Sequence, residues 1–275
     1  MGAASLYVPD WLALAKPVQP LGIQLYSVRD AIAQNLEGSL EKLAGLGYKN
    51  LEIFGYDGTF FGKTTREFQT ILSNTGLSVI SSHHTTGIGV EGRRTLSKGW
   101  KNAVDEMHEI GAKYMVCAFL FPNERTPKIY RSLPGIFEKS AEMTRKANIQ
   151  FAYHNHDFEF EPFGDSTYYD FLLQNTPPEL VKMEMDLYWI SKAGFDPLSY
   201  FKKYPGRFPL WHVKDMEALT KDFTEVGSGT IDFDRIFAAK EQAGLDYWFV
   251  EQDTSRGGIF ESLQKSGDYL KNKNY

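Results

Sequence analysis

Eight short apolar runs, separated by helix-like stretches and glycine or polar turns, constrain this 275-residue chain more than any other feature. LGIQLY (21–26) opens the series. The segment LEGSLEKLAGLGYKNLEIFG shows the unit clearly: Leu36, Leu40 and Leu43 recur at helical spacing, Gly45 and Gly47 stop the helix, and LEIF follows as a strand. REFQTILSNTGLSVISSHH, WKNAVDEMHEIGAKYMVCAF and IFEKSAEMTRKANIQFAYHNH supply the third, fourth and fifth runs. VKMEMD follows the turn at Thr176, Pro177 and Pro178, and YFKKYPGRFPLWHVKD and FDRIFAAKEQAGLDYWFVE complete the eight. Strands alternating with helices in this number predict an α/β chain closed into a (β/α)8 barrel, the TIM-barrel class. The alternative, an open doubly wound sheet, would carry a glycine-rich loop after its first strand, where this chain has QLYSVRD. No linker-like stretch divides the chain. Residues 21–275 are therefore read as one barrel domain and residues 1–20 as an N-terminal extension.

The polar residues fall where that fold places its chemistry, at the carboxyl ends of the strands. Of six histidines, five end apolar runs: His83 and His84 in SVISSHH, His154 and His156 in IQFAYHNH, and His212 in PLWHVKD. Asp186 ends VKMEMD and Glu251 ends YWFVE. Asp186, His212 and Glu251 come from three successive strands, a mixture of carboxylate and imidazole that suits a divalent metal. Each taken singly reads as a capping or solvated residue; the three together at matching positions read as a metal site. Strand five should supply the fourth ligand. His154 is the first choice there, with His156 of the same parity and Glu159 in the loop as the other candidates.

Further residues carry two readings each. His83 and His84 have opposite parity, so one of them points inward, and His84 is the candidate for substrate contact. Glu52 in LEIF either touches substrate or satisfies core polar groups. Lys214 shares the parity of His212 and either polarises a substrate oxygen or pairs with a carboxylate. Trp189 and Lys192 follow Asp186, the ring either lining a sugar face or packing. Gly227-Ser228-Gly229 either cradles an anion through its amides or forms an ordinary turn. His108 sits mid-helix and reads as structural.

Composition narrows the partners. A net charge of −5 with no basic run argues against nucleic acid, and no apolar stretch approaches the roughly 20 residues that span a bilayer. One cysteine, Cys117 in YMVCAF, rules out an internal disulfide and a cysteine zinc cluster. The first 20 residues lack the charged and apolar regions of an intact signal peptide, although a trimmed export signal would leave such a segment.

The strand-end set, YHNHDFEF, DLYW, HVKD and VGSGTIDF with YWFVEQD together resemble the xylose isomerase-like TIM-barrel family, from about Leu21 to the last helix. That family holds D-tagatose 3-epimerase-like enzymes, inosose dehydratases, enzymes of 3-keto-sugars and endonuclease IV-type repair enzymes. The resemblance implies that Asp186, His212 and Glu251 occupy three of four metal-ligand positions. The epimerases carry a glutamate at the fourth, often followed by asparagine; here His154-Asn155 stands in that slot. This departure removes the second carboxylate that epimerases use opposite Glu251. Trp189 stands where they carry a histidine, which moves the reading toward the inosose dehydratase and 3-keto-sugar branch.

The expected activity is a divalent-metal-dependent sugar isomerase or epimerase that abstracts a proton beside a carbonyl through an enediolate. A lyase or dehydratase on a keto-sugar or keto-inositol is the alternative, and a non-catalytic sugar-binding barrel the second. Glu251, Glu159, His156 and Lys214 are the acid/base candidates, and His84, Trp189, Glu52 and Lys192 the substrate contacts. His154, Asp186, His212 and Glu251 are the metal ligands. Manganese is the first choice of metal, with cobalt, magnesium, iron or zinc as alternatives. The expected partner is a small sugar, with no nucleic acid and no membrane. Similar barrels often dimerise through their helical face, which keeps a homo-oligomer open, and relatives with such a leading segment are often exported, which tilts the compartment slightly toward the periplasm over the cytoplasm.

Overall fold

The computed structural model describes residues 20–273 and Tyr275; the N-terminal extension expected for residues 1–20 lies, but for Pro20, outside them. Eight strands close into a barrel: β1 (Gly22–Gln24), β2 (Asn50–Ile53), β3 (Ser78–Thr85), β4 (Tyr114–Phe119), β5 (Gln150–His154), β6 (Val181–Asp186), β7 (Leu210–Val213) and β8 (Tyr247–Val250). Each pairs in parallel with its sequence neighbours, and β1 closes on β8. The (β/α)8 expectation is therefore met. Two hairpins, Pro162–Phe163 with Ser166–Thr167 and Asp215–Met216 with Phe223–Thr224, decorate the loops after β5 and β7.

Local chemistry sets the boundaries. Helix Thr65–Thr75 opens with a reciprocal capping box between Thr64 and Glu67 and closes on Gly76 at φ 65°. Gly45 still belongs to helix Leu36–Gly45, and the turn into β2 is made by Gly47 at φ 92°. Gly22 is required for a different reason: a Cβ there would lie 2.2 Å from the Trp248 carbonyl oxygen and 2.8 Å from the Phe249 ring, so its bare backbone lets β1 close the barrel.

Strand alternation divides the core in two. One set of side chains packs between barrel and helices in the main apolar core, which takes in Cys117. The other set fills the barrel interior. Its floor is the cluster Ile80, Tyr114, Val116, Ala152, Leu210 and Phe249. Two residues further along the same strands the interior turns polar: His154 follows Ala152, His212 follows Leu210, and Glu251 follows Phe249.

Candidate metal centre

His154, Asp186, His212 and Glu251 converge at the carboxyl ends of β5 to β8, one ligand atom of each lying within 4.8 Å of every other. All four are buried. Register does the positioning, because Asp186 and His212 are direct partners across β6 and β7, and the Glu251 amide donates to the Val213 carbonyl at 3.3 Å. Asp186 also caps the helix Leu187–Lys192: its Oδ1 accepts from the amides of Tyr188 at 2.9 Å and Trp189 at 2.8 Å. That fixes the carboxylate and leaves Oδ2 for the centre. Asn155 clamps the same backbone, its Oδ1 accepting from the Asp186 amide at 3.1 Å and its Nδ2 donating to the Asp186 carbonyl at 3.4 Å.

The donor chemistry fits a divalent metal. His154 Nδ1 lies 3.1 Å from the Ala118 carbonyl oxygen, which only accepts, so Nδ1 carries the proton and Nε2 a lone pair. Burial, then the neighbouring His212, holds His154 down to about 4, so the ring is neutral at physiological pH. Its Nε2 lone pair nonetheless faces Asp186 Oδ2 at 3.3 Å and His212 Nδ1 at 3.1 Å. Glu251 Oε2 lies 2.8 Å from His212 Nδ1 and 2.6 Å from Lys214 Nζ. Neither contact has hydrogen-bond angles, and this buried oxygen is left without a hydrogen-bond partner among the described residues. Lys214 Nζ already sets one positive charge against Asp186 and Glu251, and a divalent cation held among the four donors would satisfy the imidazole and carboxylate lone pairs together. Two imidazoles with two carboxylates suit manganese, iron, cobalt or zinc better than an all-oxygen site would.

Behind these residues lies a second polar layer. His212 Nε2 meets Glu52 Oε2 at 2.5 Å, an arrangement in which a carboxylate fixes the tautomer of a ligand histidine. Gln24 Nε2 donates to the same oxygen at 2.8 Å. His83 bridges Glu52 at 2.9 Å and Glu184 at 2.7 Å. Burial disfavours its charge, but the two carboxylates outweigh burial and lift it to about 9, so His83 is the cation of this layer. Glu52, His83, Glu184 and His212 also group closely enough to hold an ion, yet protonated His83 already supplies the positive charge there.

Lys214 reaches into the centre from the residue after β7, 3.2 Å from Asp186, 2.6 Å from Glu251 and 3.4 Å from Asp253. Burial opposes its charge, but Asp186 and Asp253 hold it charged, far above the usual lysine range. In turn Glu251 is held low: burial works against its charge, and Lys214 and His212 prevail. Asp253 is pushed up to about 6 by burial.

Above the centre opens a cleft of about 880 Å³. His83, His84, His154, His156, Trp189, Lys192, Lys214 and Glu251 all border it, whereas Glu52 and Glu159 do not. Glu52 takes the second of its two readings, satisfying His83 and His212 from behind. Glu159 is fully buried, accepts from Tyr153 Oη and from the His156 amide at 2.7 Å, and is raised by burial to about 8, so it shapes the β5 loop from beneath. Of the paired histidines one faces the axis, as their opposite parity requires, and it is His83. A register shift between Leu51 and Glu52 pairs them with Val79 and Ser81 and skips Ile80, a bulge that flips the rest of β3. His84 instead turns to Ser82 Oγ at 2.8 Å and the Arg94 carbonyl at 3.2 Å, edge-on to Trp100, while still touching the cleft. Lys214 is both ion-paired and at the cleft. Trp189 both packs on Tyr188 and Phe223 and borders the cleft. In the Gly227-Ser228-Gly229 turn the anion is the chain's own: the amides of Gly227 and Gly229 donate to Asp215 Oδ2 at 2.9 Å each, and that of Ile231 to Oδ1 at 3.2 Å.

The sequence reading does not single out Glu184, Asp253 or Arg125. Glu184 shares the parity of Asp186 in VKMEMD, and Asp253 that of Glu251 in VEQD, signals the same alternation carries. Arg125, its guanidinium carbon 3.6 Å from the centre of the Phe158 ring, has no such signal, because it comes from a loop.

Comparison with known proteins agrees with the barrel fold. A sugar phosphate isomerase/epimerase from Parabacteroides distasonis has a similar structure, with a TM-score of 0.78 and 31% identity over 96% of this chain and 98% of that one. An inosose dehydratase of Lacticaseibacillus casei is 24% identical over 268 residues, 85% of this chain and 88% of that protein. The fold alone is shared with the IOLI protein crystallised with a zinc atom, at TM-score 0.74 and 15% identity over 94% of this chain and 99% of that one. The family model for the xylose isomerase-like TIM barrel matches residues 40–272, and the chain belongs to that family.

Proposed function

We propose that the protein is a metal-dependent lyase or dehydratase that removes a proton beside the carbonyl of a keto-sugar or keto-inositol and expels a neighbouring oxygen. The observation that carries this reading is the convergence of His154, Asp186, His212 and Glu251 at the strand ends, with His154, Glu251 and Lys214 bordering the cleft above them. A divalent metal held there would polarise the substrate carbonyl and stabilise negative charge on its oxygen as the proton leaves. Lys214, kept charged by its carboxylates, adds a fixed positive charge beside the same place. His156 is the base in this reading. It borders the cleft two residues beyond His154, where Phe158 stacked at 5.3 Å and Phe119 edge-on at 5.0 Å hold its ring. A base that has taken the proton is then placed to return it to the departing oxygen.

Elimination is favoured over epimerisation for two reasons. A neutral imidazole, His154, stands where a symmetric proton exchange needs a carboxylate opposite Glu251. The Lacticaseibacillus casei relative is named a dehydratase. The structurally similar Parabacteroides distasonis protein is named an isomerase/epimerase, so product analysis is the arbiter. The test is solvent exchange with a keto-inositol and with keto-hexoses in D2O, using protein loaded with each candidate metal. Deuterium uptake with loss of water supports the lyase; uptake with only an epimer or isomer formed transfers the assignment; absence of uptake with every ketone and metal ends it.

A further inference from the structure

The carboxylates inside the barrel outnumber the cations that face them. Glu52, Glu184, Asp186 and Glu251 are all buried there. Lys214 meets only the upper pair, Asp186 and Glu251. Among the described residues no lysine or arginine lies within ion-pair distance of Glu52 or Glu184, whose charged neighbours are His83 and His212. A proton on His83 offsets one of these two carboxylates and leaves the other. A carboxylate buried without a counter-charge is strongly unfavourable.

This lower pair belongs to a compact set of donors. β2 and β3 lie across the closed barrel from β6 and β7, so Glu52 and His83 meet Glu184 and His212 near the axis. His83 Nε2 lies 2.9 Å from Glu52 Oε2 and 2.7 Å from Glu184 Oε2. His212 Nε2 lies 2.5 Å and 3.4 Å from the same two oxygens. One ligand atom of each of the four residues lies within 4.8 Å of every other. The second oxygen of each carboxylate, Glu52 Oε1 and Glu184 Oε1, is buried without a hydrogen-bond partner among the described residues. A network made for hydrogen bonding alone would use them, whereas a cation held by both carboxylates would draw on them directly. His83 also borders the cleft, which gives a cation a way in from above.

His212 joins the two sets of donors. Its Nδ1 faces the upper ones, 2.8 Å from Glu251 Oε2 and 3.1 Å from His154 Nε2, whereas its Nε2 faces the lower carboxylates. We propose that Glu52, His83, Glu184 and His212 form a second metal site beneath the first, which takes a divalent transition-metal cation and shares the His212 ring with it as a bridging imidazolate. Two imidazole nitrogens with two carboxylates are donors that suit manganese, iron, cobalt or zinc. With the upper cation alone, His212 Nε2 donates its proton to Glu52. The lower cation displaces that proton, and the one His83 holds between its carboxylates, to solvent. Metal–nitrogen bonds of about 2.1 Å on either side of one ring would hold the two cations roughly 6 Å apart. The lower cation stands away from the substrate and acts on the reaction only through His212. The inference rests on the upper centre for the bridge alone and is independent of the lyase chemistry.

Counting ions tests the lower site without reference to activity. Metal-free protein is loaded with Zn²⁺ or with Mn²⁺, freed of excess by gel filtration and analysed for metal. Two equivalents should remain. The six-line electron paramagnetic resonance signal of the first Mn²⁺ should broaden and lose intensity as the second enters, because ions this close couple. Glu184→Gln and His83→Asn should each keep one equivalent, with the six-line signal undiminished and circular dichroism unchanged. Saturation of the wild type at one equivalent that Asp186→Ala abolishes overturns the lower site, as does failure to bind either metal. A second equivalent that survives both Glu184→Gln and His83→Asn is bound elsewhere and overturns it too. A single equivalent lost in Glu184→Gln but kept in Asp186→Ala retains the lower site and removes the upper centre instead.

Discussion

The floor and the mouth of the barrel interior are built from the same strands, two residues apart, and are governed by opposite rules. On the floor, Ala152, Leu210 and Phe249 exclude water and need no partners, and burying a large side chain there contributes about 1.5–3 kcal/mol. At the mouth, His154, His212 and Glu251 occupy the next inward positions, and desolvating such groups costs several kcal/mol per ion before any pairing offsets it. Stability alone would have continued the floor upward. The ionic layer therefore marks where the fold gives up stability for chemistry, and the boundary is one alternation of a strand wide.

The sharpest way to break this comparison is to remove a ligand from the mouth. Asp186→Ala should lose stoichiometric metal by elemental analysis and reduce proton exchange by roughly 1000-fold or more, as expected when charge stabilisation in a buried site is removed. Metal retained at full occupancy would show that the convergent lone pairs are not a metal site. On the floor, Leu210→Ala should cost about 2–5 kcal/mol in urea unfolding and leave the metal content of the folded protein unchanged. A loss of metal there would merge the two regions. Between them, Glu52→Gln keeps the size of the side chain but removes the charge facing His212 Nε2. Metal affinity should fall by about 10-fold with little change in unfolding midpoint.

A separate effect is on pH dependence, read on metal-free protein. Burial holds His84 and His154 down to about 4 against an ordinary 6.5. Between those values the unfolded chain binds protons that the folded chain refuses, so stability falls as pH drops through the window, by up to about 1.4 kcal/mol per pH unit for each ring. His84→Gln should make that slope shallower. His83 runs the other way: lifted to about 9, its contribution is fully present below 6.5 and lost as pH rises through 9. An acid slope unchanged in the His84 variant would show that its ring is not held neutral.

The barrel and its primary ligand candidates were legible in sequence because both follow from alternation. Eight apolar runs specify the strands, and a polar residue directly ending a run has its direction set by parity. Legibility failed where alternation failed. The bulge at Ile80 turned His83 rather than His84 to the axis, and nothing in SVISSHH announces a bulge. Glu159 looked free in its loop because the Tyr153 hydroxyl that engages it comes from the strand below. Phe119, Phe121 and Phe158 read as ordinary apolar residues, because the cleft they border exists only once the strands are closed into a ring.

Asp215 carries one more consequence. Loops after the seventh and eighth strands are where barrels of this class often grip a phosphate. Here the three amides suited to that task already hold Asp215, and Gly229 leaves no slack, since a Cβ on it would lie 2.3 Å from Asp215 Oδ1. An incoming phosphate would meet a resident negative charge where other barrels offer open N–H groups. The chain has in effect filled its own anchor, and a substrate held by this loop would be one that arrives without a phosphate handle.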